Sequence, residues 1–87
     1  MNVLRINSGI FVPKHRVILC IEYKSPSSKR LLKKAKENGN YIDASGKKGT
    51  KSLLLLDNDC VIMTSLLAET IASRMCSIDK DDVNDGN

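Results

Sequence analysis

The chain has 87 residues, a formal net charge of +4, 41% hydrophobic residues and only 3% aromatic residues. This length accommodates one small domain with one core, and such domains often gain stability by oligomerising. The scarcity of aromatic side chains excludes an extensive base-stacking platform for single-stranded nucleic acid.

The first predicted elements are strands. VLRINS at 3–8 alternates apolar and polar side chains with the two-residue period of a half-buried strand. Gly9 interrupts this strand before the short run IFV at 10–12, which Pro13 ends. VILCIE at 17–22 is continuously aliphatic, and this indicates a more buried strand at the centre of a sheet.

A helix is predicted between Ser25 and Gly39. Ser25 before Pro26 matches an N-cap followed by proline at the first helical position, with Ser27 as an alternative cap, and Gly39 is placed to end the helix. At 100° per residue the apolar side chains share one narrow face: Leu31, Leu32 and Ala35. The wide remaining face is strongly cationic: Lys29, Arg30, Lys33, Lys34, Lys36 and Glu37.

Two consecutive hairpins are predicted next. NYIDA at 40–44 and KSLLLLD at 51–57 flank a lysine-rich turn, and NDC at 58–60 connects the second strand to VIMT. A last helix is predicted over 65–75, with Ser65 as N-cap. Its apolar stripe must cover a sheet or meet another subunit: Leu67, Ala68, Ile71, Ala72 and Met75. The pattern predicts an α+β fold, a small antiparallel sheet of hairpins with two short helices.

Charge is unevenly distributed along the chain. Residues 24–51 contain nine basic and two acidic side chains, a local charge of +7. Residues 77–87 contain four aspartates and one lysine, and they have too few apolar residues to offset the entropy of ordering. We therefore divide the chain into a folded domain over 1–76 and a disordered acidic tail over 77–87.

The three cysteines indicate a reducing compartment. Cys20, Cys60 and Cys76 form no CxxC motif, and we expect all three to be reduced, with Cys20 and Cys60 filling the core. No segment has the pattern of a signal peptide or the length of a membrane span. A cytoplasmic protein with no membrane partner is expected.

Catalytic or metal chemistry is not indicated. The single histidine, His15, lies between Lys14 and Arg16 in a predicted solvated turn. Asp57 and Asp59 frame an Asp-Asn-Asp sequence typical of a turn. The glycines of SGKKGTK lack phosphate-loop spacing. We expect no enzyme, no catalytic or metal-binding residues, no cofactor and no small-molecule substrate.

Three cationic sites remain: the residues before VILCIE, the basic helix face and the lysine-rich turn. Ordinary surfaces intersperse the two signs of charge, so this one-sidedness favours a polyanion as partner. DNA and RNA both stay open as this partner, because charge alone does not distinguish the two polymers, and a structural adaptor that meets an acidic protein is a further alternative.

The order of these motifs resembles the RemA-like family, small bacterial DNA-binding regulators named for control of extracellular-matrix genes. The resemblance covers about residues 3–75. It rests on IN at 6–7, Gly9, Arg16 before the aliphatic strand, SPSSKR at 25–30, the helix that ends at Gly39, YIDA at 41–44, the basic turn, LLLLDNDCVIM at 53–63 and AETIASR at 68–74.

This resemblance implies a ring of identical subunits that binds double-stranded DNA on the nucleoid and regulates transcription, including that of biofilm matrix genes. An arginine before the second strand aligns with Arg16. A pair of arginines in the turn aligns with Lys47 and Lys48 if Gly49 is an insertion, or with Lys48 and Gly49 without a gap, and Lys51 matches the next basic residue.

The candidate DNA-binding residues are Arg16, Lys47, Lys48, Lys51, Lys14, Lys29 and Arg30. We expect a two-stranded hairpin to hold the turn outward. Because lysine cannot make the bidentate fork of arginine, we expect reliance on backbone charge and DNA shape rather than base readout. Ala68 departs from the family, where proline is common. Whether the basic helix faces DNA or a neighbouring subunit stays open.

Overall fold

The computed structural model describes residues 2–76, and it confirms the α+β class. The strands are β1 (Val3–Asn7), β2 (Ile10–Pro13), β3 (Val17–Glu22), β4 (Tyr41–Asp43), β5 (Ser52–Leu56) and β6 (Val61–Thr64). The helices are α1 (Pro26–Asn38) and α2 (Ala68–Cys76). The predicted acidic tail at 77–87 lies outside the described residues.

The first helix has the predicted ends. The hydroxyl of Ser25 accepts a hydrogen bond from the backbone N–H of Ser28 at 3.1 Å, which identifies Ser25 rather than Ser27 as the N-cap. Pro26 occupies the first helical position, where no backbone N–H is required. Gly39 ends the helix in the left-handed conformation with φ of 71°.

The main sheet is mixed, which corrects the predicted antiparallel sheet of hairpins. Its strand order is β3-β5-β6-β4, with β5 antiparallel to both neighbours and β4 parallel to β6. The β5–β6 hairpin is confirmed, and β1 and β2 form a separate antiparallel pair. However, β6 separates β4 from β5, so the lysine-rich turn is a crossover loop and not the tip of a hairpin.

The reason is that β3 and β6 occupy both sides of β5, so β4 pairs with the free side of β6. After β3, α1 returns the chain to the opposite end of the sheet, so β4 runs in the same direction as β3 and β6. The short segment between β4 and β5 then has to pass over the end of β6. Period-2 patterning identifies a strand, but it does not identify that strand's neighbour.

The aliphatic strand β3 is an edge strand, which corrects its predicted central position. Ile18 is 57% exposed, and the register with β5 shifts between Val17 and Leu19. The central positions belong to β5 and β6, where Leu54 and Val61 are completely buried. The uninterrupted apolar run of β3 therefore does not correspond to a buried central strand within one chain.

The core forms two layers because successive side chains of β5 and β6 point to opposite faces of the sheet. On one face they pack against the β1–β2 hairpin and α2: Leu4, Ile6, Val12, Leu54, Ile62 and Ile71. On the other face they pack against α1: Leu32, Ala35, Leu53, Val61 and Met63. The sheet is thus covered on both sides, and its two ends and two outer edges remain to present functional groups.

The last helix begins at Ala68, two residues later than Ser65 as N-cap predicts. The segment before it is a turn in which the Ser52 hydroxyl donates to the carbonyl of Leu66 at 2.7 Å, while the Thr64 hydroxyl accepts from the Leu66 N–H at 3.1 Å. These side-chain bonds compete with helix formation. Of the predicted stripe, Ile71 is fully buried, whereas Leu67 is 54% exposed.

All three cysteines are free thiols. Cys20 is half-buried against the core layer between the sheet and α2, and burial raises the pKa of its thiol. Cys60 is half-buried and Cys76 is exposed. Within residues 2–76, no group of three potential metal ligands is found, and no helix has the length and apolar character needed to cross a bilayer.

Candidate nucleic-acid interface

The lysine loop, residues 45–51, joins β4 to β5. A single 3-10 turn, Gly46–Lys48, carries Lys47 and Lys48, and both side chains are exposed. Gly46 and Gly49 flank the two lysines with φ of 61° and 81°. Because side chains strain this left-handed backbone, glycine at both positions allows the loop to turn sharply. Lys51 is also exposed, at the point where β5 begins.

The base of this loop is fixed on both sides. The N–H of Ala44 donates to the carbonyl of Met63 at 2.7 Å, and the N–H of Lys51 donates to the carbonyl of Thr64 at 2.8 Å. Both bonds end on the last residues of β6. The lysines therefore project from an anchored crossover, which replaces the two-stranded stalk predicted from the sequence.

A polar network closes the loop from inside. The carboxylate of Asp43 accepts hydrogen bonds from the N–H of Ser45 at 3.0 Å and from its hydroxyl at 2.5 Å. The hydroxyl of Thr50 donates a hydrogen bond to the Ser45 hydroxyl at 3.3 Å, so the beginning of the loop is linked to its end. The Ser45 bonds, and the nearby charge of Lys36, lower the pKa of Asp43.

The topology adds Lys24 to this end of the sheet. Because β3, β4 and β6 run in one direction, their carboxyl ends meet there, and the Tyr23 N–H donates to the carbonyl of Lys51 at 3.0 Å. Lys24 and Lys51 thus line one cleft of about 280 Å³. We call this region the cationic end, with four exposed lysines: Lys24, Lys47, Lys48 and Lys51.

Sequence reasoning counted the charge of Lys24 but did not assign it to the site. No local pattern could have identified Lys24, because it lies 27 residues before Lys51, and the two lysines are brought to one cleft only by the order of the strands. Acidic groups also occur at this end: Glu22 beside the cleft, Asp43 under the loop and Glu69 in the first turn of α2. Ser45 bonds only one carboxylate oxygen of Asp43, Oδ1.

The basic face of α1 remains open in the single chain. Lys29 and Arg30 are exposed in the early turns of the helix, which begins just after β3 at the cationic end. Farther along, the ammonium of Lys36 lies 5.9 Å from the centre of the Tyr41 ring. The two predicted contacts at the helix start therefore lie at the same end of the sheet as the lysine loop, while the later lysines lie toward the opposite end.

Arg16 lies at the opposite end of the sheet. Its backbone carbonyl accepts from the N–H of Asp57 at 2.9 Å, and its Nε donates to the Asp57 carboxylate at 2.7 Å. Lys51 and Asp57 bracket β5, and six residue steps of about 3.3 Å place them about 20 Å apart. The structure therefore does not bring Arg16 and the lysine loop together within one chain.

Lys14 has a structural environment. Its side chain is only 6% exposed, and its ammonium donates to the backbone carbonyl of Arg74 at 2.7 Å, near the end of α2. A lysine at this position donates to a carbonyl in the last turn of a helix, where cationic side chains are favourable. We therefore leave Lys14 out of the proposed contact set, although its neighbour Arg16 remains in it.

The remaining predicted features of this end are turns. His15 is exposed in the 3-10 turn before β3, as expected for a solvated position. The Asp-Asn-Asp sequence forms the tight β5–β6 connection, in which the N–H of Asp59 donates to the carbonyl of Leu56 at 3.1 Å. The Asn58 side chain accepts from the Cys60 N–H at 3.1 Å, the local bonding expected of a turn.

Within residues 2–76, two small sheets, two helices and an anchored lysine loop form a small α+β domain with an exposed basic surface. Comparison with family models is more specific: the model described as RemA-like, extracellular matrix regulatory protein A-like, matches residues 3–75. The chain therefore belongs to the RemA-like family, and the resemblance drawn from its motifs is confirmed.

Several relatives carry the name of a regulatory protein. One from Geobacillus kaustophilus is 32% identical over 79 residues, covering 91% of both chains. One from Halothermothrix orenii is also 32% identical over 79 residues, covering 91% of this chain and 94% of the relative. One from Clostridium botulinum is 29% identical over 87 residues, covering 99% and 96%. These names support a regulatory rather than an enzymatic role.

Proposed function

We propose that this protein is a DNA-binding transcriptional regulator that acts in the cytoplasm on the nucleoid, as a ring-shaped homo-oligomer. The observation that carries the proposal is the anchored lysine loop, which holds Lys47, Lys48 and Lys51 in solvent on a regulatory-family scaffold. Lys24 extends the same surface. Exposed ammonium groups on an anchored loop can bind the phosphates of a duplex backbone.

The chemistry favours backbone contact over base readout. Lysine is a point charge that binds phosphate without the planar fork that recognises guanine. With two tyrosines and one phenylalanine in the whole chain, stacking on unpaired bases has little support. Duplex DNA is therefore the proposed partner, and specificity for a site arises from DNA shape and deformability.

The sheet edges support assembly into a ring. In the main sheet, β3 and β4 are the outermost strands, and both expose large apolar side chains: Ile18 and Leu19 on β3, and Tyr41 and Ile42 on β4. Exposed strand edges with apolar groups are prone to pair with another chain. Because the two edges differ, a contact between them is heterologous, and such contacts close into rings when the rotation permits.

A ring makes weak sites effective. Each copy presents one cationic end and one Arg16, so a single duplex meets several equivalent phosphate contacts, and later contacts form at high effective concentration.

Replacing Ile18 with glutamate places a charge on the β3 edge. We expect the Ile18→Glu protein to elute as a smaller species, measured by size-exclusion chromatography with light scattering, and to lose DNA affinity. An unchanged molar mass would contradict an interface at this edge.

The charge contacts are tested by the salt dependence of duplex binding. Each phosphate contact contributes about 0.9 to the slope of log affinity against log salt. We expect Lys24→Ala to flatten this slope by one contact and Lys47→Ala/Lys48→Ala to flatten it by up to two. The matched controls are Lys34→Ala and Lys33→Ala/Lys34→Ala, which remove equal charge from exposed positions of α1.

Arg16 provides an independent test. Since it lies about 20 Å from the lysine loop, changes at the two sites are far enough apart for their free energies to add. We expect Arg16→Ala and Lys47→Ala/Lys48→Ala each to weaken binding, with additive losses in the combined variant. If the loop variants and the α1 controls lost DNA affinity equally, binding would depend only on the net charge of the protein, and the lysine loop would not be a specific contact. Equal competition by structured RNA would contradict the choice of duplex DNA.

A further inference from the structure

The contact between Arg16 and Asp57 is more specific than a surface ion pair. The two residues are joined twice, through the backbone at 2.9 Å and through Nε and the carboxylate at 2.7 Å. Both side chains are nevertheless about half exposed, at 44% and 47%. Exposed pairs of this kind contribute little to stability, about 0 to 1 kcal/mol. Their value here is therefore in orientation.

The bond through Nε leaves the other side of the guanidinium available. Within residues 2–76, no hydrogen bond occupies the two terminal nitrogens of Arg16. These two nitrogens form the edge that binds a phosphate through parallel hydrogen bonds. We propose that Asp57 is a positioning residue that holds Arg16 with this edge presented to a phosphate of the DNA backbone. The inference rests on the proposed function and deepens it.

Asp57 is itself well placed for this role. It directly follows β5, and its N–H is bonded to the chain just before β3, so its backbone is tied to the neighbouring strand. The following turn is closed by the Leu56 N–H, which donates to the carbonyl of Cys60 at 2.9 Å. A long arginine side chain loses considerable freedom when it binds, and prior fixation by Asp57 reduces that loss.

Asp57 has two opposing effects on an approaching phosphate. Its negative charge repels the phosphate, whereas its bond to Nε orients the arginine that attracts it. A carboxylate that only repels weakens binding, so its removal tightens binding. A carboxylate that positions Arg16 gives the opposite sign, but only while Arg16 is present. The direction of the effect in two backgrounds therefore separates the roles.

Asp59 supplies a matched control. It lies two residues away in the same turn, is exposed and forms no ion pair in the described chain. Its φ of 66° is one that asparagine adopts readily, so Asp59→Asn removes the same charge without straining the backbone. Asp57→Asn provides a conservative variant, because its amide oxygen still accepts from Nε.

The experiment measures duplex affinity at fixed salt for Asp57→Ala, Asp57→Asn and Asp59→Asn, each with Arg16 intact and with Arg16→Ala. With Arg16 intact, we expect Asp57→Ala to weaken binding by about threefold or more, as release of an ordered side chain implies. Asp57→Asn recovers part of this loss, and Asp59→Asn binds slightly more tightly than the parent. With Arg16→Ala, Asp57→Ala loses its penalty and behaves like Asp59→Asn.

Tighter binding by Asp57→Ala in both backgrounds would show that the carboxylate only repels DNA and would overturn the proposal. Unchanged affinity in Arg16→Ala alone would also overturn it, because there would be no contact to position. The lysine-loop variants report separately on the proposed function, so that failure would be distinguishable from loss of DNA binding altogether. Far-ultraviolet circular dichroism establishes that each variant is folded, and Asp57→Asn tests the proposal if Asp57→Ala is not.

Discussion

Replacing Lys14 with methionine tests whether this lysine holds α2 in place. Methionine keeps an unbranched stem in the buried site but cannot donate to the carbonyl of Arg74, now bonded at 2.7 Å. A hydrogen bond from a charged donor contributes about 1.5–3 kcal/mol. Methionine also avoids burying an ammonium group. We therefore expect the lower part of that range, a loss of about 1.5–2 kcal/mol.

For a domain of this size, 1 kcal/mol corresponds to about 4–8 °C in Tm, so Lys14→Met should melt about 6–16 °C lower. The assay is thermal and urea unfolding followed by circular dichroism, at fixed protein concentration because assembly also affects stability. Lys33→Met, on the exposed face of α1, is the control and should melt within about 2 °C of the parent. Unchanged stability together with reduced DNA affinity would refute the structural role and restore Lys14 as a contact.

Three further predictions concern the loop and the core. The hydrogen bonds from Ser45 lower the pKa of Asp43, so the contribution of Asp43 to loop order is present above its ordinary pKa of 3.8 and is lost as the pH falls through the lower folded value. An NMR titration of the Ser45 amide should therefore have its midpoint below pH 3.8. A midpoint at or above that pH would contradict the hydrogen bonds. Gly49→Ala strains a backbone with φ of 81° and should cost about 1 kcal/mol, measured by urea unfolding, with no penalty if the loop relaxes freely. Ile71→Ala should cost about 2–5 kcal/mol because Ile71 is completely buried, whereas exposed Leu67→Ala should cost well under half of that in the same assay; equal losses would contradict the packing of α2.

The features predicted well from the sequence are those held by local bonds. Ser25, Pro26 and Gly39 define α1 through contacts within a few residues, and the structure confirms each of them. The β5–β6 hairpin follows in the same way from a turn sequence between two short apolar runs. The lysine loop was located correctly for the same reason, since its glycines satisfy backbone requirements inside the loop.

The predictions that needed correction depended on which strands lie side by side. The pattern of β4 is that of a strand whether it pairs with β5 or with β6, and it pairs with β6 because β3 and β6 occupy both sides of β5. The aliphatic composition of β3 predicts burial, but within one chain this strand has a neighbour on one side only. Ser65 is a residue type favoured at N-caps, yet the helix begins only at Ala68, because Leu66 is bonded by the distant Ser52 hydroxyl as well as by its neighbour Thr64.

The amino-acid sequence by itself determined the α+β class, the ends of α1, the family and the presence of a basic surface. Only the tertiary structure decided the arrangement of that surface: Lys24 joins the lysine loop, Arg16 lies with Asp57 at the far end of β5, and Lys14 is buried under α2. The physical reason is that charge and capping are properties of short segments. Which charges become neighbours depends on strand order and direction, and these are set by packing between residues far apart in the chain.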